Sequence, residues 1–219
     1  MTLYNKKAAI HECGHALLAK LFDECFEIKN ITLDTSLYSK QANTDDWQGA
    51  ILLGRRPFFL QNQSIENLDK LIITMWGGLA AQNIYIKGQE DIKRNLLTYL
   101  NSPNLLDSEG FDGDWNLTEQ CISGLIQIRG ISYDEYRVSF LGFAFDYLML
   151  DKVWETTNSL AELVLSKANV TITQSEIEQH FIDTGFLKFL CKNKTKILSK
   201  RYKVTLNEKI NSFFKCLLN

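Results

Sequence analysis

Only two prolines, Pro57 and Pro103, interrupt the 219 residues of this chain, and that scarcity limits its fold more than any other feature. Proline removes an amide donor and clashes with the preceding helical turn, so long proline-free stretches let helices run uninterrupted. Those stretches also repeat apolar residues at intervals of three and four, which gives each helix one face to bury. The expected class is mainly α with a small β-sheet, an α+β chain. Residues 5 to 23 form the first expected helix. "CFEIKNITLDTS" and "DDWQGAILLG" are rich in β-branched and apolar residues and flank the polar "LYSKQANT", which predicts two short strands joined by a long turn. "SIENLDKLIITMWGGLAAQNIYIKG" predicts a long buried helix, with Ser64 as N-cap, Glu66 in the first turn and an end before Gly88. Residues 89 to 113 turn polar and acidic and are expected to form a loop. Helical patterning returns from Trp115 to Gln127, again as one stretch from 133 to 169, and in "TQSEIEQHFIDTG".

Composition narrows the class. With 45% hydrophobic residues and a formal charge of -2, the chain can bury one good core or two small ones. Apolar runs such as "KLIITMWGGLAAQNIYI" are shorter than a membrane span, and the start has no signal-peptide pattern, so a soluble cytoplasmic protein without a membrane span is expected. The five cysteines are odd in number, scattered, and form no CxxC pair. Neither a disulfide framework nor a zinc ribbon is indicated, and the expected role is that of small buried apolar residues. Residues 188 to 219 carry nine Lys/Arg against the single acid Glu208. Such a basic end suits an acidic partner or a solvated face, and no nucleic-acid motif accompanies it. Leu206, Ile210, Phe213, Phe214 and Leu217 share one helical stripe there, consistent with a terminal helix.

The chemistry concentrates in "AAIHECGHALLAKLF", residues 8 to 22, which uses two of the three histidines. His11 and His15 stand four residues apart, about 400° of helical rotation, so both imidazoles leave one face one turn apart. Two nitrogens can then grip one ion. Neutral imidazole suits zinc, and a catalytic zinc takes three protein ligands and leaves a fourth position open. Glu12 lies beside the first ligand, where a carboxylate can take a proton from an activated water. Gly14 inside a helix costs about 1 kcal/mol, which is tolerated where another backbone must come close. Ile10, Leu17, Leu18 and Leu21 bury one side of the helix, and a metal relieves the cost of a buried imidazole pair.

A third ligand must come from elsewhere. His180 sits in "SEIEQHF", an amphipathic helix where it reads as a surface residue. Asp107, Asp112 and Asp114 cluster in the acidic stretch, and Asp114 directly precedes an expected helix, where an aspartate commonly serves as a cap.

Taken in order, these segments resemble the peptidase domain of the FtsH-type ATP-dependent zinc proteases. "AAIHECGHALLA" is similar to that family's HEAGHA helix, "EIKNITLDTS" and "WQGAILLG" to its strand pair, and "IITMWGGLAAQNIYIKG" to its GGRAAE helix. "GFDGDWNLTEQCI" resembles the segment that completes the zinc site, and "NSLAELVLSKANVTITQSEIEQHF" the closing helices. The resemblance implies a zincin-like metallopeptidase domain over residues 1–182; residues 183–219, expected to be a basic helical extension, have no counterpart in that family. It implies zinc (Zn2+) held by His11, His15 and Asp114, with Asp112 as the alternative third ligand, and Glu12 as general base. It also implies that the strand of Trp47, Gln48, Gly49, Ala50, Ile51 and Leu52 binds an extended substrate through its edge. Leu79 and Gln82 stand where the family has arginine and glutamate, so Gln82 is not expected to be a ligand. The His11 to Asp114 separation of 103 positions exceeds the family's usual one, the surplus falling in residues 87 to 110.

The chain starts almost at the motif helix, so the expectation is a cytosolic peptidase acting without ATP on peptides or unfolded segments. The contrasting expectation is a catalytically silent, peptide-binding regulator of the same fold. A deformylase is set aside, because its cysteine ligand would have to precede the motif and none of the first ten residues is cysteine.

Overall fold

A computed structural model describes residues 3–33, 50–56, 64–101, 112–167 and 170–199 of the chain. The elements run α1 (Leu3–Leu21), β1 (Phe26–Thr32), β2 (Ala50–Arg55), α2 (Ile65–Lys87), α3 (Gln89–Leu100), α4 (Asp112–Arg129), α5 (Tyr133–Leu148), α6 (Asp151–Ser166), β3 (Ile172–Thr173) and α7 (Gln174–Asp183). A further helix, α8, spans 186–199. Among the described residues the molecule is mainly helical, with one three-stranded antiparallel sheet of order β2-β1-β3. No helix among the described residues is long and apolar enough to cross a membrane.

The motif helix α1 lies at the centre of the core. Every residue from Ala8 to Ala19 is buried, the polar His11, Glu12 and His15 included. It packs against α2, α6 and the sheet, and the α5 residue Tyr147 donates its buried hydroxyl to the Leu17 carbonyl at 3.2 Å. The closest approach is between α1 and α2. A Cβ added at Gly14 would stand 2.3 Å from the Gly77 carbonyl oxygen, and one at Gly77 would stand 2.7 Å from the Gly14 oxygen. The sequence argument for a near backbone at Gly14 is met here by a helix. Because the obstacle is main chain on both sides, neither helix can yield locally. Gly14→Ala is therefore expected to lower stability by about 1–3 kcal/mol in a denaturant titration, against its favourable helix propensity.

Helix α2 starts and stops where the sequence predicts. The Ser64 hydroxyl accepts the Asn67 amide at 3.2 Å, and Gly88 ends the helix at φ 86, a backbone conformation that favours glycine. Three expectations need correction. Residues 89 to 100 are not loop but helix α3, which buries Ile92, Leu96 and Leu100. These recur every fourth residue, so a narrow apolar stripe anchors a helix that is polar by composition. The stretch from 133 to 169 is two helices, broken at Met149 and Leu150. Cys13 and Cys25 are buried as expected, whereas Cys121 is half-buried and Cys191 exposed. Position 216 and the stripe from Leu206 to Leu217 lie outside the described residues.

Helix α8 belongs to the same body. Phe186 and Leu190 are buried in the core. The Lys194 ammonium reaches Asp23 at 2.7 Å and Glu24 at 2.9 Å in the turn after α1.

Candidate metal centre

Two elements bring the site together around the histidine face of α1. Helix α2 runs across it with Thr74, Gly78 and Gln82 spaced four apart on one face. His15 Nδ1 lies 2.8 Å from the Thr74 carbonyl oxygen, and His11 Nδ1 lies 3.1 Å from Gln82 Oε1. A carbonyl only accepts, so each Nδ1 carries a proton as donor and each Nε2 points inward toward Asp114, where it could bind an ion. Helix α4 then delivers Asp114 from its first turn. Asp114 Oδ2 stands 3.1 Å from both Nε2 atoms.

These distances suit a metal ion. The ligand atoms of His11, His15 and Asp114 all lie within 4.8 Å of one another, a group that could hold one ion. Donors bonded at about 2.0–2.1 Å to a tetrahedral ion stand roughly 3.3 Å apart, close to the 3.1 Å from each Nε2 to Asp114. Space for the group is kept open by Gly78, where a Cβ would fall 2.4 Å from both Nε2 atoms. The histidines are almost fully buried, at 7% and 2% exposed, and the Asp114 side chain is 23% exposed, so the open side of the site is the aspartate side.

Electrostatics follow from this packing. Burial disfavours charge on His15, yet Asp114 outweighs it and lifts the imidazole to about 9. Burial works against the Asp114 carboxylate too, but the two imidazoles hold it well below the usual carboxylate range. For Glu12, 8% exposed, burial dominates and raises the carboxyl, while His11 and His15 pull it down, Asp114 pushes it up and the Ile51 amide stabilises the ionised form. Metal binding needs both imidazoles neutral at Nε2, and protons compete for those atoms. Affinity for zinc or cobalt is expected to rise as pH increases from 6 to 8 in a competition titration, and to fall on acidification.

No family model matches the chain, and no curated protein matches it either.

Each sequence-derived candidate can now be placed. His11, His15 and Asp114 converge, with Glu12 between the first two on α1. Asp114 is not a helix cap, because α4 already begins at Asp112; the Asp112 side chain lies outside the described residues. Ala50, Ile51 and Leu52 lie on β2, an edge strand of the sheet among the described residues, and the Ile51 amide donates to the Glu12 carboxylate. Trp47, Gln48 and Gly49 fall outside the described residues. His180 does not join the group. Rather than a surface residue, it is half-buried, its Nε2 lying 2.9 Å from Ser159 Oγ.

The residues that sequence reasoning missed are Thr74, Gly78 and the orienting role of Gln82. A signal existed in their spacing of four and in the paired glycines of "WGGLAAQ". Without the crossing of α1 and α2, nothing tied that face to the histidines. Gln82→Leu removes the acceptor that fixes the His11 ring and is expected to weaken metal binding by about 10- to 100-fold in a chelator competition assay.

Proposed function

We propose that this protein is a zinc metallopeptidase of the HExxH type, acting on peptides or unfolded segments and similar in its site to the FtsH-type peptidase domain. The observation that carries the reading is the convergence of two Nε2 atoms and one carboxylate oxygen, each 3.1 Å across the aspartate, beside the buried acid Glu12. Two imidazoles and one carboxylate form a donor set typical of catalytic zinc, with a fourth position left for water or substrate.

When bound, zinc would polarise a carbonyl and bring a water's pKa toward about 7. Glu12 would take the proton of that water on its carboxylate and hand it to the leaving amine. Thr74 and Gln82 keep the two imidazoles in the tautomer that leaves Nε2 free, and Asp114 supplies the single negative charge. The strand β2 supports a peptide as substrate. Its Ile51 amide meets Glu12, so the strand's outer edge runs beside the general base, where an extended chain can pair with it.

The test is hydrolysis of a peptide library by the zinc-loaded full chain, with new termini read by mass spectrometry. Cleavage that stops with a chelator and returns with zinc supports the proposal. Peptide binding with full zinc occupancy and no cleavage would instead support the silent regulator.

A further inference from the structure

We infer that the cluster of Asp69, Arg129 and Tyr136 is a register lock that positions Asp114 against the two histidines, an inference that rests on the metal-site reading above. Its carboxylate and phenol are buried, and its arginine side chain is 27% exposed. Helix α4 presents one face at Asp114, Thr118, Ile122, Leu125 and Arg129, with spacings of four, four, three and four. Thr118, Ile122 and Leu125 in its middle are at most 1% exposed. Apolar contact of this kind attracts a helix without fixing its axial position, and a slip of one turn moves it by about 5.4 Å. The whole geometry of the site depends on contacts of 3.1 Å. Something must set the register.

Asp69 supplies the fixed point. It lies on α2, the helix that also carries Thr74, Gly78 and Gln82, and it is 0% exposed. Its Oδ2 accepts from the Arg129 guanidinium, and its Oδ1 accepts the Tyr136 hydroxyl at 2.9 Å. The carboxylate therefore joins α2, α4 and α5 at one place. Tyr136 is itself 0% exposed and stacks on Phe140 with ring centroids 4.3 Å apart, and the Arg129 guanidinium carbon lies 5.7 Å from the centre of the Phe140 ring. A buried ion pair contributes little net stability compared with apolar residues of similar size, and its best-attested use is to specify register. With the far end of α4 tied to Asp69, the rigid length of α4 holds Asp114 against the two Nε2 atoms. Asp69, Arg129 and Tyr136 are thus positioning residues, acting through Asp114.

The experiment compares the full chain with the triple variant Asp69→Leu/Arg129→Met/Tyr136→Phe, which removes the polar cluster and keeps apolar bulk, and with Arg129→Lys, which keeps the charge. Metal-free thermal melting, cobalt titration followed by visible absorption, and amide hydrogen exchange over residues 116–118 are measured for each. The triple variant should melt like the wild type, bind cobalt about 10- to 100-fold more weakly and lose exchange protection at residues 116–118, in the second turn of α4. Arg129→Lys should recover most of the cobalt affinity. A folded triple variant with wild-type cobalt affinity and wild-type protection over 116–118 would overturn the inference. If the wild type binds no cobalt, the metal reading fails, and the exchange comparison alone decides the register lock. If the triple variant does not fold, Asp69→Asn is judged by the same readouts.

Discussion

Replacing Glu12 by glutamine is expected to leave one metal ion per chain and to slow peptide hydrolysis by about 10²- to 10⁴-fold. The two effects separate because Glu12 is not one of the three converging ligands. Glutamine has the same shape, and its amide oxygen can still accept the Ile51 amide that the carboxylate accepts here. What it cannot do is take a proton. The native carboxyl sits in a site where burial raises its pKa and the neighbouring imidazoles oppose that rise. Such a balance suits a group that must accept a proton and then release it. Zinc content by atomic spectroscopy and kcat/KM on a cleaved peptide measure both halves. Unchanged hydrolysis at full zinc occupancy would remove Glu12 from the mechanism.

Gly78→Ala is expected to abolish metal binding while the chain stays folded. The added methyl would stand 2.4 Å from Nε2 of both His11 and His15. Those atoms are the far ends of side chains, so the rings can rotate away and the helices need not part, in contrast with Gly14, where the obstacle is backbone. Alanine also favours the helix over glycine by about 1 kcal/mol. The rings cannot move, however, without leaving Thr74 and Gln82 and without losing the convergence on Asp114. The predicted pattern is a folded chain whose metal-free melting temperature is lowered by the two broken hydrogen bonds, partly offset by the helix gain, with cobalt absorption lost. Retained cobalt binding in this variant would mean that the ion does not lie between the two Nε2 atoms.

The parts of this architecture that sequence made legible are those set by local chemistry. The spacing of His11 and His15, the cap at Ser64 and the stop at Gly88 each depend on a few neighbouring residues. The illegible parts depend on distant ones. The break between α5 and α6 falls at Met149 and Leu150, with no proline or glycine to mark it, and Leu150 starts α6 without a side-chain cap. Helix α3 hides behind its own charged face, and β3 is two residues long, too short for any alternating pattern. Asp114 resembles a helix cap in the sequence because its place beside the histidines arises only when α4 crosses their face. Gln82 was not legible as the partner of His11, since 71 positions separate the two.

The most direct measurement is an anomalous-scattering map, collected at the zinc absorption edge, from crystals of the zinc-loaded full chain. The account predicts one peak per chain, about 2.0–2.1 Å from Nε2 of His11, Nε2 of His15 and a carboxylate oxygen of Asp114, with Gly78 beneath it. A well-folded, zinc-saturated chain with no peak between those three side chains, or with the ion held by other residues, would contradict it.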